Sequence, residues 1–77
     1  MLELGDIAVF YTDGLTEATD THGEMYTIDG LKKELVRSRH LGAQELATTM
    51  FEAVRNYTVA PLRDDSTIFV LRRIAQT

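Results

Sequence analysis

Gly5-Asp6-Ile7-Ala8-Val9-Phe10-Tyr11-Thr12-Asp13-Gly14 is the stretch that decides how this chain folds. Ile7 to Tyr11 form an unbroken apolar run rich in strand-forming residues. Gly5-Asp6 precedes it as a turn, and Asp13-Gly14 stops it. The run predicts a strand over 6–12. A second run near the other end, Ser66-Thr67-Ile68-Phe69-Val70-Leu71, follows Asp64-Asp65 and predicts another strand. Both runs are apolar on successive rather than alternate residues, the pattern of strands buried on both faces.

Turn formers and acids fill 13–26, which reads as a loop with one helical turn near Leu15–Ala18. A helix is predicted over Ile28–Arg39. Thr27 is its expected cap, Asp29 lies in its first turn, and Ile28, Leu31 and Leu35 are expected on one face. Gly42 breaks it. A second helix is predicted over Ala43–Tyr57, with Leu46, Met50, Val54 and Tyr57 in one stripe. Met50 and the aromatics here read as core. Pro61 ends the helical region. The predicted order is β-α-α-β: an α+β arrangement of antiparallel strands with two helices packed on one face. Two helices can cover one face of a two-stranded sheet. The residues left over neither cover the other face nor widen the sheet, and a two-stranded ribbon is marginal alone. Residues 1–77 therefore read as a single partial domain, completed by further chain or by a second copy of itself.

Composition narrows the functional classes. A chain of 77 residues makes one small domain, which buries only about 60% of its unfolded surface. It has no cysteine, hence no disulfide or thiolate metal site, as suits a reducing cytosol. His22 and His40 lack zinc-pair spacing. No apolar run approaches the roughly 20 residues of a membrane span, and the N-terminus has no signal-peptide pattern. The net charge is −4, unevenly spread: residues 1–30 hold seven acids and no Lys or Arg, whereas 31–77 hold five acids and all eight bases. The acidic half argues against nucleic acid as a partner. It suits a cation or a basic partner, or simply a solvated loop.

Asp13 lies at the end of the first predicted strand, and Asp64 and Asp65 at the start of the second. If the strands pair antiparallel, the three carboxylates converge. Such a cluster is costly unless a cation neutralises it, and hard oxygen ligands suit Mg²⁺ or Mn²⁺. The alternative is structural: Asp13 caps a turn, and Asp64 or Asp65 bonds local backbone N–H groups. Asp13 to Glu24 has the length of an EF-hand loop but places Leu15 third and Ala18 sixth, which excludes that site. A haloacid-dehalogenase-type aspartyl nucleophile is excluded as well, because Tyr11 and Leu15 stand where a second acid is needed.

The segment Gly5–Ala18 resembles the "GD, apolar run, YTDG-x-x-E-A" signature of the stage II sporulation protein E-like branch of the PPM serine/threonine phosphatases. Asp64-Asp65-Ser66-Thr67 followed by its apolar run resembles their terminal "DD-x-T" strand. The resemblance covers nearly the whole chain. It implies part of a β-sandwich flanked by helices, with two Mn²⁺ or Mg²⁺ ions held between strand-end carboxylates. It also implies hydrolysis of phosphoserine or phosphothreonine by a metal-bridging hydroxide. By match to the motifs, Asp13 and Asp64 become metal ligands. Asp65 is a less certain one, since relatives often carry Asn there. Glu17 is a weak further ligand or a structural hydrogen-bonding group, and Gly14 permits the turn beside the metals. The family's other metal-binding segment would precede Met1. Where the family often has an aromatic residue followed by Gly, this sequence has Tyr26-Thr27. The expected substrate is a phosphorylated cytoplasmic protein such as an anti-sigma-factor antagonist, in bacterial signalling that regulates sigma factors. The competing reading is a catalytically inactive interaction or dimerisation module.

Overall fold

The structure, a computed structural model, describes residues 1–62 and 66–73. Three strands, β1 (Leu2–Leu4), β2 (Ile7–Tyr11) and β3 (Ile68–Arg72), form one antiparallel sheet in the order β1-β2-β3. A short helix α1 (Asp13–Thr16) follows β2, and two longer ones, α2 (Thr27–Ser38) and α3 (Ala43–Tyr57), cross the chain back towards β3. The α+β arrangement expected from the sequence is the one observed.

The sheet is wider than the sequence indicates. Leu2–Leu4 pairs with Ile7–Val9 through a two-residue turn at Gly5-Asp6. Gly5 has φ +57°, as a hairpin turn with glycine at its first central position requires. A three-residue strand carries too little periodicity to stand out, so the turn was legible and its first arm was not.

The core lies between the sheet and the helices. Leu2, Ile7, Val9 and Val70 project from the inner face of the sheet, against Leu31 and Leu35 of α2 and Leu46, Met50 and Val54 of α3. The predicted α3 stripe is buried as its spacing requires, with Tyr57 half-buried at its end. Arg72 fastens the far side: its guanidinium donates to the Leu41 carbonyl between α2 and α3 and lies 3.5 Å from the Asp6 carboxylate.

The start of α2 departs from expectation. Ile28 is 43% exposed instead of sharing the buried face of Leu31 and Leu35. Thr27 makes no side-chain cap and has φ +66°. The cause is Tyr26. Its ring lies so close under Gly30 that a Cβ there would meet it at 3.0 Å. The same ring packs edge-on against Tyr57 with centroids 5.1 Å apart. Tyr26 thus fills the inner position of the first turn, and Ile28 is turned outward. Seating the ring goes with a left-handed residue next to it. A β-branched residue in that conformation is strained by about 1–2 kcal/mol. Thr27→Gly is therefore expected to stabilise the chain by about 1 kcal/mol, seen in thermal unfolding as a rise of about 4–8 °C. An unchanged or lower midpoint would contradict the strain.

Candidate active site

The register of β2 and β3 builds the candidate site. Tyr11 pairs with Ile68, and beyond that pair the two chains stay joined. The Thr12 amide donates to the Thr67 carbonyl at 3.1 Å, and the Thr67 amide donates to the Thr12 hydroxyl at 2.9 Å. The end of β2 therefore lies beside the approach to β3, the antiparallel arrangement on which the carboxylate argument depends. Asp13 is the first residue after β2. It opens α1, and its carbonyl accepts from the Glu17 amide at 2.9 Å and the Thr16 hydroxyl at 3.2 Å. Its side chain is exposed and makes no hydrogen bond or ion pair among the described residues, so Asp13 itself does not act as a side-chain cap there. Glu17 is exposed at the C-terminal end of α1. Asp64 and Asp65 lie outside the described residues. Among the described residues, no group of three acids or histidines is placed to hold a metal ion. Asp13 is thus the one described member of the principal donor set.

Gly14 serves the site by its size. Its φ is not left-handed; what it lacks is a Cβ, which would stand 2.6 Å from the Ser66 hydroxyl. Ser66 Oγ is buried with no hydrogen-bond partner among the described residues, a state that costs about 1–3 kcal/mol. The Asp13-Gly14 turn and the residue after Asp64-Asp65 are therefore in direct steric register. The sequence signal for this was Gly14 itself, read as a turn former when close approach was the reason.

The acidic loop after α1 is held by its own backbone. Asp20 Oδ1 accepts from the amides of His22 at 2.8 Å and Glu24 at 3.0 Å. The Tyr57 hydroxyl donates to the Glu24 carbonyl at 2.9 Å and lies 3.4 Å from Asp20 Oδ2. Thr19 bridges to Met25, and the Val59 amide donates to the Thr19 carbonyl at 3.1 Å. The backbone bonds, first from Glu24 and then from His22, hold the Asp20 carboxyl below the usual carboxylate range. Desolvation, then the charge of Asp20, raises the Tyr57 hydroxyl above its ordinary value and keeps it a donor. Asp20 is therefore a structural acid, a role that its place in an acidic run concealed.

The comparisons with known proteins bear on this geometry. The sequence signature of Stage II sporulation protein E (SpoIIE) matches residues 1–74. The chain belongs to the SpoIIE family. It is 33% identical over 72 residues to the phosphoserine phosphatase RsbU of Bacillus subtilis (strain 168), a match covering 94% of this chain and 21% of that protein. The chain thus spans about a fifth of the relative's length. No solved structure matches it. The chain thus resembles part of a PPM-type phosphatase. No helix among the described residues is long and apolar enough to cross a membrane.

Two outcomes follow. Gly14→Ala is expected to cost about 1–3 kcal/mol through overpacking, and most of that cost to vanish in a Ser66→Ala background. Urea unfolding of the four proteins in the cycle gives the coupling; additive effects would show that the two residues do not meet. For Asp20, a depressed folded-state pKa means that its contribution is complete above the ordinary carboxylate value. It is lost as pH falls through the depressed value. Asp20→Asn should therefore flatten the acid limb of the stability profile, measured by urea midpoints at descending pH, and leave the neutral limb's slope unchanged.

Proposed function

We propose that this chain supplies the C-terminal carboxylates of a metal-dependent phosphoserine/phosphothreonine protein phosphatase. Asp13 and Asp64 would be its metal ligands, Asp65 a further one, and Glu17 a weak outer one. What supports the reading is the reciprocal bonding of Thr12 and Thr67, which sets the end of β2 beside the approach to β3, together with membership of the SpoIIE family.

Each residue has a definable task. Asp13, exposed at a strand end and unbonded to its neighbours, offers a carboxylate that a hard cation can take without breaking an existing contact. Gly14 lets Ser66 approach the turn. Bonds between Thr12 and Thr67 join the end of β2 to the approach to β3, which supports a donor spacing set by the main chain rather than by long flexible side chains. Mn²⁺ or Mg²⁺, two ions in the complete domain, would supply Lewis-acid stabilisation and an activated water. The substrate we infer is a serine-phosphorylated cytoplasmic signalling protein of the anti-sigma-factor-antagonist kind, since RsbU is a phosphoserine phosphatase. We also read the chain as a single partial domain: a donor set built from these two segments alone lacks the bridging ligands of a two-metal site, so turnover by the isolated chain is expected to be negligible.

A second reading is favoured by one observation. Phe10, Phe69 and Leu71 are all exposed on the sheet, as in a module that binds a partner without catalysis. Calorimetric titration with Mn²⁺ separates the two. The phosphatase reading expects weak binding that Asp13→Asn and Asp64→Asn each reduce at least about tenfold, the loss of one charged ligand being worth more than about 1.4 kcal/mol. Absence of binding up to millimolar Mn²⁺ sinks it. Efficient Mn²⁺-dependent hydrolysis of a phosphoserine peptide by the isolated chain would instead refute its incompleteness.

A further inference from the structure

The β2–β3 ladder ends on a rung that a side chain closes. The register from Ile7–Arg72 to Tyr11–Ile68 makes Thr12 and Thr67 the next pair. Antiparallel pairs alternate between those that exchange two backbone bonds and those that exchange none. The Thr12 amide donates to the Thr67 carbonyl at 3.1 Å, so this is a bonded pair. A regular ladder returns the second bond from the Thr67 amide to the Thr12 carbonyl. Here that amide donates to the Thr12 hydroxyl instead, at 2.9 Å. The Thr12 carbonyl accepts from the Leu15 amide of α1 at 3.1 Å. Leu15 is fully buried, so its amide needs that partner. Thr12 also stands at the N-cap of α1 with extended backbone. A threonine there ordinarily spends its hydroxyl on the helix amides, and among the described residues this one makes no such bond.

We propose that Thr12 is a positioning residue for the metal site. Its hydroxyl stands in for its own carbonyl, so the chain leaves the sheet into α1 at Asp13 while the approach to β3 stays bonded to it. The inference rests on the phosphatase reading. Two demands meet at this residue. The turn into α1 takes the carbonyl, and the ladder needs an acceptor for the Thr67 amide. A residue without a side-chain acceptor has one carbonyl for both. Threonine also suits the extended backbone, because its branched Cβ restricts the hydroxyl to few rotamers. Asp13 is then held from both sides. Thr12 before it is bonded twice to Thr67, and Gly14 after it lies against Ser66. Thr67 stands two positions after Asp65 in the sequence, so what Thr12 holds is the stem of the second proposed donor segment. Thr12 acts through the main chain and need not touch the ion.

Thr12→Val keeps the size and branching of the side chain and removes the acceptor; Thr12→Ser keeps the acceptor. Amide exchange followed by NMR reads the bond. The Arg73 amide, bonded to the Asp6 carbonyl at 2.8 Å at the far end of the ladder, is the internal reference. Calorimetric Mn²⁺ titration of the same proteins reads the consequence. In Thr12→Val the Thr67 amide is expected to exchange about tenfold faster with Arg73 unchanged, and Mn²⁺ affinity to fall about tenfold, the net worth of one hydrogen bond. In Thr12→Ser both stay within about threefold of the wild type. Equal acceleration at Thr67 and Arg73 is general loosening and overturns the proposal. A Thr67 amide still protected in Thr12→Val overturns the substitution of hydroxyl for carbonyl. Thr67 released with Mn²⁺ affinity unchanged, or lost affinity that serine does not restore, overturns the positioning role and leaves the phosphatase reading standing. A wild type that binds no Mn²⁺ sinks that reading and the positioning role with it.

Discussion

The pairing of β2 with β3 is the constraint from which the rest follows. Thr12 and Thr67 exchange bonds across 55 residues of chain. Closing a loop of that length costs about 3–4 kcal/mol in entropy. Five cross-strand pairs from Ile7–Arg72 to Tyr11–Ile68 offset the cost, and so does the burial of Val9 and Val70 in the core, at about 1.5–3 kcal/mol for each fully buried side chain. The pairing fixes two things at once. It sets the Asp13 end of β2 beside the Thr67 approach to β3, and it brings every second apolar residue of both strands to the outer face. The candidate site and the exposed patch are consequences of one register.

That register needs the intervening residues to return the chain to the right place, which explains the elaborate fastening of the loop between α1 and α2. Asp20 gathers the amides of His22 and Glu24, Tyr57 ties the loop to the end of α3, and Tyr26 wedges between Tyr57 and Gly30. Strain at Thr27 is the local cost of seating Tyr26. Such a residue persists only where its surroundings over-determine it, and the two tyrosines with the Asp20 turn are those surroundings. Helix α3 is therefore more than a cover for the sheet. One end of it holds the acidic loop, and its buried stripe of Leu46, Met50 and Val54 holds β3.

Much of this was legible in the residues, and the limits have physical causes. Helix α3 was readable to its termini because its apolar spacing is regular and Gly42 and Pro61 punctuate it. Both long strands were readable from composition, and their antiparallel pairing could be posed as a condition that the register then met. Leu2–Leu4 was not readable, because three residues hold a single alternation. Ile28 was misplaced because helical periodicity assumes that a helix begins at its cap, whereas here an aromatic from outside the helix takes the first inner position. Of the candidate site, Asp13 and Gly14 were singled out by their place at a strand end. Their contact with Ser66 was invisible, since close approach between segments 52 positions apart leaves no local mark. Asp20 was hidden by its company: one structural acid among seven in the first thirty residues has no compositional signature.

The successive apolar residues of β2 also tie stability to function. A strand that alternates polar and apolar residues can leave one face in water, and such a sheet would present Asp13 without help. The sequence of this chain instead places Phe10, an exposed aromatic, three residues before its principal candidate ligand. Whatever covers Phe10 and Phe69 must therefore lie close to the Asp13-Gly14 turn. It excludes water from the side of the strand end opposite the helices, and in a drier surrounding a carboxylate interacts more strongly with a cation. A bare sheet face thus leaves the strand end solvated and its donors weak. Covering that face does more than add buried area: it changes the dielectric around the Asp13 carboxylate, so completion of the sheet bears on the cation affinity proposed for this strand end.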